Sequence, residues 1–254
     1  MCLVVDMGAG RKRGESWRSW PGPDSKVLDL FLFALHPARE SDWALLEESE
    51  SRRAQRLVIP SKRDQFVLSR ANVRRVLAAA TARSAESLQF RFGAHDKPFL
   101  QGQHPLAFNL SHSHQLAVIG VLGRDVQLGV DIEYMRDGRA FESIAGSFFS
   151  HSEQAILTGI RAAQGELGQK HGFYRAWSRK EAYLKAIGTG LSFASSRFSI
   201  EFREEMEPKL LATEAPGDSP EKWRMLDLEI DPEYAAAVCL DQEIEGCRFW
   251  QMDL

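Results

Sequence analysis

The chain has 254 residues, 44% of them hydrophobic and 26% charged, enough to bury a core as one domain or as two compact lobes. That composition excludes a chain disordered throughout, and a formal net charge of -3 excludes a global nucleic-acid footprint, so any anion site must be a local basic patch. Cys2, Cys239 and Cys247 are too few and too scattered for a disulfide framework, and no apolar run reaches membrane-span length, so a soluble protein of the reducing cytoplasm is expected.

Residues 1–24 place Gly, Pro and Arg after a very short apolar stretch, the reverse of a secretory signal, and read as a loose extension. The alternating apolar run at 26–35 predicts a strand. Residues 41–57 read as a helix capped by Ser41 or Asp42, and 61–82 as a second, with Phe66, Val73, Val76, Leu77 and Ala80 on one face. A strand at 88–92, the turn "GAHDKP" and two strands joined by a polar Ser/His turn at 106–122 follow. The second half starts with a strand at 126–133, then helices at 151–163 and 171–188, the latter ended by Gly188. A strand at 197–202, a loop at 204–222 and a strand–turn–strand at 223–240 complete it. The halves share an order of elements, which predicts two similar α+β lobes, 25–125 and 126–254, with a ligand cleft between them. A cleft completed within one chain predicts a monomer.

Side chains alternate along a strand, so in "GVDIE" (129–133) Asp131 and Glu133 share a face while Val130 and Ile132 take the other. Two such carboxylates repel unless a cation neutralises them, and a hard dication such as Mg²⁺ suits them; a solvated strand end is the bland alternative. On the helix at 171–188, Phe173, Trp177, Leu184 and Ile187 make an apolar stripe. Lys180 falls inside that stripe, Glu181 at its edge, and Lys185 one turn beyond Glu181. An inward lysine requires a partner or an anionic ligand. Otherwise Lys180 snorkels and Glu181–Lys185 is a surface pair.

"FNLSHS" (108–113), "GVDIE" (129–133), "FFSHSE" (148–153) and "WSRKEAYLKAIGTGL" (177–191), in that order, resemble the surfactin-synthetase-activating type of 4′-phosphopantetheinyl transferase over roughly residues 50–240. The resemblance implies two lobes related by a pseudo-twofold axis with the active site between them. It implies transfer of the 4′-phosphopantetheine group of coenzyme A to a serine of an apo acyl or peptidyl carrier protein, releasing adenosine 3′,5′-bisphosphate. Asp131, Glu133 and Glu181 match the family's magnesium ligands, Glu181 is also the proton acceptor, and Lys185 matches a lysine on the pyrophosphate. Ser111 and His112 fall where the nucleotide end binds, and Lys97 matches a Gly-Lys-Pro position near coenzyme A, with Asp96 in place of the glycine. Lys180 belongs to the pattern and is expected at coenzyme A. Arg53 and Arg70, then Arg56, are expected at the 3′-phosphate, because arginine forks suit a phosphate monoester.

A magnesium-dependent nuclease could also use two carboxylates and a distant Glu, but it calls for a channel of dispersed basic and aromatic residues. Here Arg52, Arg53, Arg56, Lys62, Arg63 and Arg70 cluster in one segment. An inactive binding duplicate would be expected to have lost one of the acids. Neither nucleic acid nor membrane is an expected partner.

Overall fold

The computed structural model describes residues 15–252 apart from 94, 96, 103, 104 and 139. The looseness expected of residues 1–14 therefore lies outside the described residues. Twelve described strands run in chain order: β1 Glu15–Ser16, β2 Val27–Ala34, β3 Phe90–Phe92, β4 Pro98–Leu100, β5 Ala107–Ser113, β6 Leu116–Leu122, β7 Leu128–Tyr134, β8 Phe198–Glu201, β9 Lys209–Thr213, β10 Arg224–Asp227, β11 Tyr234–Leu240 and β12 Gly246–Gln251. The helices are α1 Glu40–Trp43, α2 Glu48–Gln55, α3 Pro60–Thr81, α4 Phe141–Phe148 and α5 His151–Ile187.

The larger sheet has the order β1-β12-β2-β6-β5, and the smaller β10-β11-β7. Each half of the chain thus lays down its first strand, then a helix, then a hairpin whose returning strand pairs with the first: β2-β6-β5 in one half and β7-β11-β10 in the other. This is the internal repeat expected from the sequence, and the fold is α+β. Alternation sorts the core into layers. Leu28, Leu30 and Leu32 of β2 pack with Val130, Ile132, Val238 and Leu240 between the two sheets. Phe31 and Phe33 turn the other way, against Val73, Val76 and Leu77 of α3. Phe173, Ala182, Tyr183 and Ala186 of α5 cover Ala237 and Cys239 on the far side of the smaller sheet. Both sheets are covered on both faces, which is why β2 and β11 read as nearly continuous apolar runs.

Three expectations are corrected. Residues 15–24 are not loose: Trp17 and Trp20 pack on the larger sheet's core, with Trp20 edge-on to Phe31 at 4.8 Å. The two helices expected at 151–163 and 171–188 are both present: within α5 they meet at a kink at Gly165, whose φ of 70° and ψ of -164° are open to glycine alone. The loop expected at 204–222 contains β9, paired with β8 across a bulge. The lobe expected at 126–254 is not closed on itself, because β12 returns to lie between β1 and β2 in the larger sheet. Arg248 and Trp250 of β12 both bond Asp29, a buried carboxylate inside β2 that would otherwise lack partners.

Candidate active site

Strand β7 and helix α5 meet face to face because Gly129 lets them. A Cβ at Gly129 would collide with the Ala182 carbonyl oxygen and approach the Ala186 nitrogen. Two residues further along the same face, Asp131 is buried against α5, as the alternation predicts. Lys185 of α5 donates to Asp131 Oδ1 at 2.7 Å, to Ser111 Oγ at 2.7 Å and to the Val130 carbonyl at 3.2 Å. Ser111 Oγ in turn donates to Asp131 Oδ1 at 2.8 Å. Asp131 Oδ2 is buried with no hydrogen-bond partner among the described residues.

Glu133 and Glu181 complete a carboxylate group. Burial pushes the Glu181 carboxyl up to about 7, and repulsion from Asp131 and then Glu133 adds to that, against the attraction of Lys185. Asp131 and Glu133 both act on Glu181 electrostatically, so β7 and α5 bring the three carboxylates into one neighbourhood. No three described His, Cys, Asp or Glu side chains are gathered tightly enough to enclose a metal by themselves. Mg²⁺ does not need such a cage, because it retains several waters and takes one or two carboxylates. A buried, unpartnered Asp131 oxygen beside two more carboxylates fits a hard cation by chemistry and by charge.

The nucleotide-binding candidates divide. His112 presents one side to solvent, while the protein crowds the other; that burial, with Lys185 and then Lys62, holds its pKa below the ordinary histidine value. Lys62, at the start of α3, thus shares a positive field with His112 and Lys185. Arg53 and Arg70 converge on the Phe66 ring, at 5.5 and 5.4 Å from its centroid. Arg56 is exposed where α2 ends.

Two expected ligand contacts are engaged elsewhere. Lys97 donates to the carbonyls of Leu128, Lys185 and Ala186 at 3.0, 2.6 and 3.0 Å, clasping the start of β7 to the end of α5. Its ammonium serves the lobe junction in this structure. Lys180 faces inward as the helical arithmetic requires, but its partner is protein: Glu153 Oε1 and Oε2 at 2.9 and 2.7 Å and the Phe198 carbonyl at 2.9 Å. With the side chain 3% exposed, no donor is left for coenzyme A, and the expected ligand role of Lys180 is corrected to a buried ion pair.

Sequence reasoning passed over three residues. Glu153 caps α5 through the Ser150 N–H, accepts the Ile200 N–H and pairs with Lys180, so it ties the start of the helix to β8. Asn109 Oδ1 accepts the Val130 N–H at 2.9 Å, and Ser113 Oγ accepts the Tyr134 N–H at 3.1 Å. The alternation of Asn109, Ser111 and Ser113 in "FNLSHS" was the available signal.

In this doubled α+β fold Asp131 and Glu133 of β7 lie with Lys185 and Glu181 of α5 at the junction of the halves, the arrangement of an enzyme with its site between two lobes. The model of the 4′-phosphopantetheinyl transferase superfamily matches residues 127–239. The 4′-phosphopantetheinyl transferase HetI of Nostoc is 34% identical over 232 residues, covering 90% of this chain and 87% of HetI. The transferase Sfp of Bacillus subtilis is 28% identical over 206 residues, covering 76% of this chain and 87% of Sfp. Another Bacillus subtilis 4′-phosphopantetheinyl transferase is 32% identical over 164 residues, covering 64% and 68%. The chain belongs to the 4′-phosphopantetheinyl transferases.

Proposed function

We propose that this enzyme transfers the 4′-phosphopantetheine group of coenzyme A to a serine of an apo carrier protein, with Asp131, Glu133 and Glu181 holding Mg²⁺. The serine oxygen forms a bond to the β-phosphorus of the pyrophosphate. The bond from that phosphorus to the bridging oxygen breaks, and adenosine 3′,5′-bisphosphate leaves with the electron pair. When bound, the cation would neutralise charge growing on the pyrophosphate oxygens. Glu181 takes the serine proton, a role open to a carboxylate at the reacting oxygen. Lys185, already beside Asp131, supplies a fixed positive charge to the same oxygens. His112, Lys62, Arg53 and Arg70 would receive the 3′-phosphate end, with Arg56 at the margin.

The observation that supports this reading most is the buried Asp131 oxygen without a partner, beside two further carboxylates and a lysine. Among the described residues no helix is long and apolar enough to cross a membrane. We take the working form to be a cytoplasmic monomer, with no nucleic-acid partner. The test is release of adenosine 3′,5′-bisphosphate from coenzyme A. It should require both an apo carrier and Mg²⁺, and release that ignores the carrier would point to a hydrolase instead.

A further inference from the structure

Strand β5 ends the larger sheet and β7 ends the smaller, so among the described residues each has one edge without a strand neighbour. They meet through side chains. Asn109, Ser111 and Ser113 lie on one face of β5, and their oxygens accept the N–H groups of Val130, Ile132 and Tyr134 at 2.9, 3.3 and 3.1 Å. Three alternate side chains thus replace a backbone ladder at the seam between the lobes.

Two of the three do more. Ser111 accepts the N–H of Ile132 and donates to Asp131 Oδ1 at 2.8 Å. Ser113 accepts the N–H of Tyr134 and donates to Glu133 Oε2 at 2.8 Å. The same pattern occurs twice, two residues apart. In each case a hydroxyl takes the amide that follows an acidic residue and ties that residue's carboxylate to its own backbone. A hydroxyl bound on both sides cannot turn away, so the carboxylate is held in one rotamer. Glutamate has the longer and looser side chain of the two acids, and gains more from being held.

We propose that Ser113 is a positioning residue for the transfer reaction, orienting Glu133 toward the cation as Ser111 orients Asp131. This rests on the transfer reading above. Hydrogen-bond partners of metal-binding carboxylates set their direction and basicity, and losing one lowers metal affinity by about tenfold or more. A purely structural role for Ser113, sealing the seam, would lower stability without touching the cation.

The test compares Ser113→Ala and Ser113→Thr with the wild type. Mn²⁺ binding in the presence of coenzyme A is followed by electron paramagnetic resonance, alongside the Mg²⁺ concentration for half-maximal rate and the melting temperature. Ser113→Ala should bind Mn²⁺ about tenfold more weakly and require correspondingly more Mg²⁺, with kcat at saturating Mg²⁺ reduced much less. Ser113→Thr retains the hydroxyl on a strand and should restore both. A Ser113→Ala protein that melts earlier but keeps wild-type Mn²⁺ affinity and Mg²⁺ requirement overturns the proposal. Wild-type enzyme that binds no Mn²⁺ overturns it together with the metal assignment. Wild-type enzyme that binds Mn²⁺ but modifies no carrier refutes the transfer reading alone, and the Mn²⁺ comparison still decides the role of Ser113.

Discussion

Glu181 faces conflicting demands. The proposed transfer needs its charge, while burial without a cation resists it. Its pKa is raised from 4.5 to about 7, so the native state holds a proton that the unfolded chain releases. The associated stability is fully present below pH 4.5 and is lost as pH rises through about 7. With EDTA present at pH 8, Glu181→Gln is expected to be more stable than wild type by about 2 kcal/mol, a figure reduced for partial exposure. The gap should close toward pH 4.5. Urea midpoints across that range check it, and a Gln variant less stable at pH 8 contradicts the assigned crowding. Lys180 makes the opposite case. Lys180→Met leaves Glu153 buried without its cation and should lower stability by about 3 kcal/mol, while the KM for coenzyme A of the folded fraction stays unchanged. A raised KM would return Lys180 to the ligand site. Asp131 and Glu133 were legible as a pair because strand alternation is strict. Helix geometry gave the direction of Lys180, but its partner lies 27 residues away, beyond the reach of local spacing.

At the scale of elements, the site depends on how closely β7 can lie on α5. Gly129→Ala would drive a methyl group into the backbone of α5 at Ala182 and Ala186. It should cost about 3 kcal/mol and most of the activity, since Asp131 and Lys185 sit on the separated surfaces. A melting temperature within a few degrees of wild type would show that the helix can shift. The clasp made by Lys97 fixes the same junction from the other lobe. Lys97→Met is expected to lower thermal stability even without coenzyme A, whereas a side chain that served only the ligand would leave the unliganded protein unchanged. The long helices and the paired strands were readable from period and turn residues. Strand β9 was not, because Leu211 and most of its neighbours face solvent and its five residues lie in a polar, Pro- and Gly-containing stretch. The break in α5 was legible, because Gly165 lies in the gap between two apolar helical patterns and its dihedrals are non-helical.

The whole molecule is a repeat with one exchange. Both halves use the same strand order, and the sequence displayed that repeat. The return of β12 to the larger sheet was hidden, because a short strand with a half-exposed pattern carries no mark of its distant partner. Truncation after Asp241 should therefore unfold the first lobe as well as shorten the second, by exposing β2 and stranding Asp29. A soluble truncated protein with native circular dichroism would argue for separable lobes. The central claim is that the junction of the halves transfers one phosphopantetheine arm. The most direct measurement is the intact mass of several apo carrier proteins after incubation with coenzyme A, Mg²⁺ and enzyme. The account predicts a gain of one 4′-phosphopantetheine group on at least one carrier, absent when its acceptor serine is replaced and strongly reduced with Asp131→Asn. No gain on any carrier with folded enzyme, or an undiminished gain with Asp131→Asn, would contradict it.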